Sequence, residues 1–282
     1  MCANPRLSRS GSLSETEMNR SLISVIIPTY NSEEFLENCL KSIISQSYTN
    51  IEIIIVDNYS LDKTLEIAAK YGRVVLHEGP RSEGRNIGAA LAQGEYILSL
   101  DSDMEVSCHV LRQCLSQAKK GFDAIIIPEI SIGEGYWAEC RALEKLCYID
   151  DDLIEAARFF RKDAFEAVDG YDPTLVFGED WDLSQRIRKT GFRVGRVNSI
   201  IKHNEGRLSL RQSMIKKSYY WKSFKDYSAK NPEEAKQQMM LIRPAFVRNW
   251  RKLANDPLHS LGMIILKVFE FLYGWVGSRR RN

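Results

Sequence analysis

The chain has 282 residues, 44% hydrophobic and 27% charged, ordinary proportions for a globular protein large enough to bury a sizeable core. Its 17 glycines, 8 prolines and 10% aromatics exclude collagen-like, prion-like and wholly disordered chains. The net charge of +2 hides an asymmetry: residues 207–282 hold 16 Lys and Arg against 5 Asp and Glu, a net of +11, while residues 1–206 carry −9. An acidic body and a basic tail imply two surfaces with different partners.

Along the chain, the opening residues (MCANPRLSRSGSLSETEMNR) lack an apolar signal core, so 1–21 reads as a flexible tail. Leu22 to Ile27 is a nearly continuous apolar run broken at Pro28, the pattern of a strand buried on both faces. Asn31 then stands as a capping residue, and Phe35, Cys39, Leu40, Ile43 and Ile44 keep helical spacing. Ile51 to Val56 predicts a second buried strand, Leu61 to Tyr71 a helix, and Arg73 to Leu76 a short strand. A helix closing over Ile87 to Ala92 precedes a strand from Tyr96 to Leu100. Val110 to Lys119 reads as helix and Ala124 to Ile127 as a strand stopped by Pro128. Beyond it the pattern predicts helix over Glu134 to Ile149, strand over Ala157 to Arg161, and helices over Lys162 to Val168 and Leu183 to Lys189. From Leu208 the chain reads as helices, interrupted near Asn231-Pro232 and Asn255-Asp256-Pro257.

Strands alternating with helices imply an α/β/α sandwich with a mostly parallel sheet, whose ligands sit beyond the carboxyl ends of the strands. Polar clusters fall there: Pro28-Thr29-Tyr30-Asn31, Asp57-Asn58 and Asp101-Ser102-Asp103. No GxGxxG follows the first strand and no GxxxxGK[ST] occurs, which disfavours a dinucleotide-binding domain and excludes a P-loop enzyme. Six cysteines form no CxxC pair, so neither a zinc knuckle nor a redox pair is written here, and a disulfide framework is not expected.

Five sets of residues could carry chemistry. Asp101 and Asp103 are either a solvated turn or a pair of carboxylates for a hard divalent cation. Asp57 either caps its turn or accepts from a nucleobase NH, with Tyr30 either stacked on the same base or packed in the core. In Gly84-Arg85-Asn86-Ile87-Gly88 the glycines allow close approach, to a ligand or to the sheet, and Arg81 or Arg85 could pair with phosphate. Glu179 and Asp180 sit near a helix start, where a carboxylate either caps the helix or deprotonates a hydroxyl. His203 is structural or completes a metal site with Asp103.

Taken together, Val25-Ile26-Ile27-Pro28-Thr29-Tyr30-Asn31, Val56-Asp57-Asn58, Gly84-Arg85-Asn86-Ile87-Gly88, Gly94-Glu95-Tyr96-Ile97 leading to Asp101-Ser102-Asp103, Asp169-Gly170-Tyr171-Asp172 and Gly178-Glu179-Asp180 resemble the inverting family 2 glycosyltransferases of GT-A fold. The match runs from about residue 22 to 206. The resemblance implies a catalytic domain over 22–206 and a metal-dependent inverting hexosyltransferase acting on a nucleotide-diphosphate sugar. It implies that Pro28, Thr29, Tyr30 and Asp57 line the nucleobase and ribose pocket. Arg81 and Arg85 would meet phosphate, Asp101 would hold ribose and, with Asp103, a Mn²⁺ or Mg²⁺, and Asp180 would be the catalytic base with Glu179 beside it. His203 would supply a further metal ligand. Asn58-Tyr59-Ser60 departs from the common Asp-Gly-Ser, and Gly84 from a common Ala. No Gln-x-x-Arg-Trp motif follows the catalytic acid, which favours a single-addition enzyme. A catalytically inactive nucleotide-sugar-binding module and a polyprenyl-phosphate sugar synthase are the alternatives.

Residues 207–282 form a basic helical appendage in this reading. Leu258 to Gly277 is long enough to span a bilayer, but Ser260, Lys267, Glu270 and Gly274 share one narrow face, and Lys267 and Glu270 could pair. An interfacial helix follows, with Tyr273 and Trp275 at headgroup depth and Arg279-Arg280-Arg281 on anionic lipid. The expected partners are the nucleotide-sugar donor, a lipid-linked or glycan acceptor and an anionic membrane surface. Nucleic acid is not expected, although Lys216, Lys217, Lys222 and Lys225 interleave with Tyr219, Tyr220, Trp221 and Phe224. The expected location is peripheral, on the cytoplasmic face of a membrane.

Overall fold

A computed structural model describes residues 20–240 and 243–279. Of the tail expected over residues 1–21, Ser21 is buried and donates to Glu95, while residues 1–19 lie outside the described residues, as do Arg280 and Arg281. So do the side chains of Lys216, Lys217, Tyr219, Trp221, Lys222, Trp275 and Arg279.

The first half alternates as the apolar runs require: β1 (Ile23–Thr29), α1 (Leu36–Ile44), β2 (Ile51–Asp57), α2 (Thr64–Ala68), β3 (Arg73–Leu76), α3 (Arg81–Leu91), β4 (Tyr96–Ser99), β5 (Met104–Val106), α4 (Val110–Ala118) and β6 (Ala124–Ile126). The second half continues with β7 (Glu129–Glu134), α5 (Tyr136–Tyr148), β8 (Ala157–Arg161), α6 (Lys162–Glu166), α7 (Glu179–Lys189), β9 (Val194–Arg196) and β10 (Ile201–Arg207). Five helices end it: α8 (Leu210–Lys230), α9 (Pro232–Gln238), α10 (Pro244–Arg248), α11 (Trp250–Asn255) and α12 (Pro257–Arg279).

The main sheet has seven strands in the order β3-β2-β1-β4-β8-β6-β9. It is parallel except at β8, which runs antiparallel to both β4 and β6. Both faces are covered. Val25 and Ile27 of β1 face α1 and α4 in one core, and Ile26 faces α3, α6 and α7 in the other. This is why Leu22 to Ile27 reads as an unbroken apolar run rather than an alternating one. Gly88 marks the tightest contact of α3, since a Cβ there would lie 2.3 Å from Ile26 Cγ2. Its glycine serves helix-to-sheet packing and not the approach of a ligand.

Three differences from expectation have local causes. The turn after β1 is not capped by Asn31: α1 starts only at Leu36 without a side-chain cap, and Asn31 Oδ1 instead accepts from Leu61 N at 2.9 Å. The helix expected from Leu61 to Tyr71 shrinks to α2 because Asp62 and Thr64 bond each other and the neighbouring loop. A second sheet, β5-β10-β7, pairs segments about 100 and 70 residues apart; β10 (IKHNEGR) has no strand periodicity of its own.

Candidate functional site

The strand ends of β1 and β2 are laced together before any ligand is considered. Asn58 N donates to Thr29 O at 2.9 Å and Asn31 N donates to Ser60 Oγ at 2.8 Å. Asp57 is fully buried; Ser60 N (2.8 Å), Ser60 Oγ (2.6 Å) and Thr29 Oγ1 (2.8 Å) all donate to its carboxylate. Asp57 therefore builds the turn with three donors on its carboxylate, and Oδ1, which takes only one of them, keeps the capacity to accept from a base. Pro28 and Thr29 are buried beside it, whereas Tyr30 is 60% exposed and Tyr59, at φ +55°, is 54% exposed. The packed-core alternative for Tyr30 is thus excluded.

Beyond β4 a charged cluster gathers residues from five segments. Arg85, on α3, is wholly buried and donates to Asp101 Oδ1 (2.6 Å), Glu179 Oε1 (3.1 Å) and Asp180 Oδ1 (3.1 Å). Arg81, one turn earlier and partly exposed, donates to Glu179 at 2.8 Å and lies 3.9 Å from Asp101. Arg158, from β8, approaches Asp101 and Asp180 at 3.7 Å each and Glu129 at 3.2 Å. Burial opposes ionisation of Asp101, but Arg85, Arg81 and Arg158 together hold its carboxyl far below the usual carboxylate range. Arg85 already donates to three carboxylates, whereas Arg81, the other arginine expected to meet phosphate, is partly exposed.

Two acidic residues at the start of α7 divide their roles by burial. Gly178 precedes them at φ +78°, and a Cβ there would lie 2.8 Å from the ring of Tyr227, so only glycine makes this turn comfortably. Glu179 is buried under the two arginines, while Asp180 remains partly open.

Asp103 and His203 meet from β10 and the turn before β5. His203 Nε2 is 3.2 Å from Asp103 Oδ2, and its Nδ1 is 2.9 Å from Glu129 Oε1. Burial pulls the imidazole pKa down, but the bonds to Asp103 and Glu129 outweigh it and raise it to about 10. Asp103 Oδ1 is buried with no hydrogen-bond partner among the described residues. Held between Asp103 and Glu129, the ring is an imidazolium; a divalent cation would fit beside the spare Asp103 oxygen by displacing the Nε2 proton, with the other nitrogen held by Glu129. Among the described residues no group of three or more His, Cys, Asp and Glu side chains is arranged to hold a metal, so further ligands would have to come from substrate oxygens or water. Asp101, expected to share this ion, has its Oδ1 on Arg85 at 2.6 Å.

A cavity of about 350 Å³ opens beside Asp101, Asp180 and His203 and is walled by Phe177, Trp181, Tyr220 and Phe224 before it reaches α12. Glu129 and Arg158 were missed in the sequence. Their signals were there: Glu129 directly follows a strand-ending proline, as Asp57 and Asp101 follow strand ends, and Arg158 interrupts an otherwise apolar buried strand.

An open α/β sheet with acidic strand ends, an arginine cluster and a helix-start carboxylate defines a nucleotide-sugar-transferase type of fold. The chain matches the model of glycosyl transferase family 2 over residues 24–170, about half its length, and belongs to that family. It is 47% identical over 94 residues to a glycosyltransferase of Haemophilus influenzae, covering 30% of this chain and 38% of that one. It is 39% identical over 114 residues to glycosyltransferase GlyG of Streptococcus pneumoniae, covering 37% and 38%. The matched segment thus spans well under half of either relative. In three dimensions it resembles Staphylococcus aureus TarS 1–349 in complex with UDP-GlcNAc (TM-score 0.58, 16% identity, 91% of this chain and 88% of that one). It also resembles mannosyltransferase PcManGT of Pyrobaculum calidifontis with GDP-Man and Mn²⁺ (TM-score 0.59, 16% identity, 91% and 87%). At this identity the likeness describes the fold.

Proposed function

We propose that the chain is an inverting glycosyltransferase that moves one sugar from a nucleotide-diphosphate sugar to a hydroxyl held in the cavity. The observation that carries the reading is Asp180, a carboxylate at the mouth of α7 that lines the cavity and is oriented by Arg85 and Arg158. In this mechanism Asp180 takes the acceptor proton while the hydroxyl oxygen bonds the anomeric carbon. The bond from that carbon to the diphosphate breaks, and its electron pair leaves with the diphosphate. Attack from the opposite face inverts the anomer. Pro28, Thr29 and the exposed Tyr30 form the nucleotide side, and Arg81 meets the diphosphate. Asp103 and His203 would hold Mn²⁺ or Mg²⁺, which when bound neutralises charge on the leaving diphosphate. Residues 22–206 form the catalytic unit and 207–282 the appendage.

The test is thermal unfolding with UDP, GDP and CDP, each with and without Mn²⁺. One nucleotide should raise the melting temperature in a metal-dependent way, and Asp103→Ala should lose the metal-dependent part. No shift with any nucleotide would overturn the reading.

The appendage supports a membrane location. Among the described residues no helix is long and apolar enough to cross a bilayer. The polar face of α12 turns inward: Lys267 Nζ donates to Glu144 at 2.5 Å and Glu270 bonds Arg141, so the Lys267–Glu270 pair expected from their spacing does not form. Leu258, Leu261, Ile264, Phe269 and Leu272 are left exposed, beside exposed Trp250, Arg251 and Lys252. A helix with its charges inside and its aliphatic stripe outside suits one leaflet of an anionic membrane, and with it a lipid-linked acceptor. Flotation with phosphatidylglycerol liposomes should be lost in a Leu261→Asp/Ile264→Asp double variant; unchanged flotation would remove the membrane from the proposal.

A further inference from the structure

The cavity has a second end, away from Asp180, that the proposed chemistry leaves unused. There Arg141, Arg243 and Lys267 face Glu144 and Glu270 around the ring of Tyr148. The two carboxylates are already engaged. Arg141 Nη1 donates to Glu144 Oε2 at 2.5 Å and Arg141 also bonds Glu270; Lys267 donates to Glu144 Oε1 at 2.5 Å, and Ser213 donates to Glu270 at 2.5 Å.

Arg243 is the cation left over. Its guanidinium lies over the Tyr148 ring at 4.9 Å, it makes no ion pair with any described residue, and its Nε is buried without a hydrogen-bond partner. Glu144 feels Arg243 as well as Lys267 and Arg141, and Glu205 also acts on Arg141. No carboxylate of a described residue, however, lies within ion-pair distance of the Arg243 guanidinium, and burying charge is costly unless a direct partner arrives. Lys267 reports the same field: burial, with Arg243 and Arg141 adding to it, lowers its pKa to about 8 despite Glu144. The same cavity is lined by aromatic rings that pack edge to face, Phe177 against Trp181 at 5.3 Å and against Phe224 at 6.2 Å. Such a wall offers ring faces to a sugar and no charge.

We propose that this end of the cavity is an acceptor subsite for a phosphate ester, read by Arg243 with Lys267, so that the acceptor is a saccharide carrying phosphate with its sugar ring along the aromatic wall. The proposal rests on the glycosyl-transfer reading, since it names the acceptor for the same cavity. A guanidinium suits a phosphate because its N–H groups meet two oxygens at once.

The test is calorimetric titration of the full chain, its donor site first saturated with the nucleoside diphosphate that stabilises it and Mn²⁺. The probes are glucose 1-phosphate and neutral methyl glucoside. The phosphorylated probe should bind about ten-fold or more tighter, as charge-assisted bonds imply. Arg243→Gln should bring the two probes to similar affinities, and Arg243→Lys, which keeps the charge without the fork, should fall between. Nucleoside diphosphate binding reports that each variant is folded. Equal affinity for both probes in the wild type, or a preference that survives in Arg243→Gln, overturns the subsite. Failure of any nucleoside diphosphate to bind the wild type instead overturns the transferase reading, so the two failures are distinct. Competition by vesicles containing polyprenyl phosphate identifies a lipid source of the phosphate; competition by soluble sugar phosphate alone identifies a non-lipid glycan. Both uphold the subsite.

Discussion

Asp180→Asn should cut turnover by roughly 10²–10⁴-fold, the range expected for losing a positioned general base, while nucleotide affinity stays within about two-fold because no ground-state contact to the donor is removed. The substitution keeps the shape and an oxygen for Arg85, whose other partners, Asp101 and Glu179, remain in place. Steady-state kinetics and nucleotide titration on the same preparation separate the two effects. Turnover within ten-fold of wild type would mean that Asp180 is not the base. Glu179 is a poor substitute for it, being buried with its Oε1 under both Arg81 and Arg85.

Arg85→Met should be the most destabilising single change in the site, by about 3–5 kcal/mol at neutral pH, because it strands Asp101, Glu179 and part of Asp180 in a buried cluster without their main cation. The pH dependence gives the mechanism away. In the wild type Asp101 has a folded pKa far below its unfolded value, chiefly because Arg85 overcomes burial. Its stabilising contribution is therefore present above the unfolded pKa near 4 and fades as pH falls. Without Arg85, the Asp101 carboxyl loses the largest influence that lowers it and its pKa rises, so less of that contribution remains at neutral pH to be lost on acidification. The gap between wild type and variant, measured by urea unfolding at pH 7 and again near pH 4, should narrow on acidification. A gap that is constant with pH would attribute the loss to packing alone.

Much of the scaffold could be read in one dimension because its determinants are local. β1, β2 and β4 are nearly continuous apolar runs that end at polar residues, and Asp57, Asp101 and Asp103 fall where such sheets collect ligands. The acids after Gly178 marked the start of α7, but the helix was read only from Leu183, four residues inside it. What could not be read depends on distant partners. Three-residue strands such as β5 and β9 carry too little pattern to stand alone, and β10 is defined only by the neighbours it pairs with. Arg85 looked like a phosphate ligand because its spacing from Arg81 is visible, whereas the carboxylates that occupy it are 16, 94 and 95 residues away. For the same reason Lys267 and Glu270, suitably spaced to pair along a helix, each found a partner on α5 instead.

Apart from Arg81 and Asp101, the cavity wall comes from two stretches that have little to do with one another in sequence. Ile127 to His203 supply the floor that abuts the sheet, and Tyr220 to Phe271 supply the far side. The strands that carry Asp101 and the turn that carries Asp180 contribute nothing to that far side. Its rings and charges can therefore be exchanged during evolution without disturbing the chemistry at the sheet. The helices after residue 207 are thus where a different receiving surface could be fitted to the same catalytic sheet.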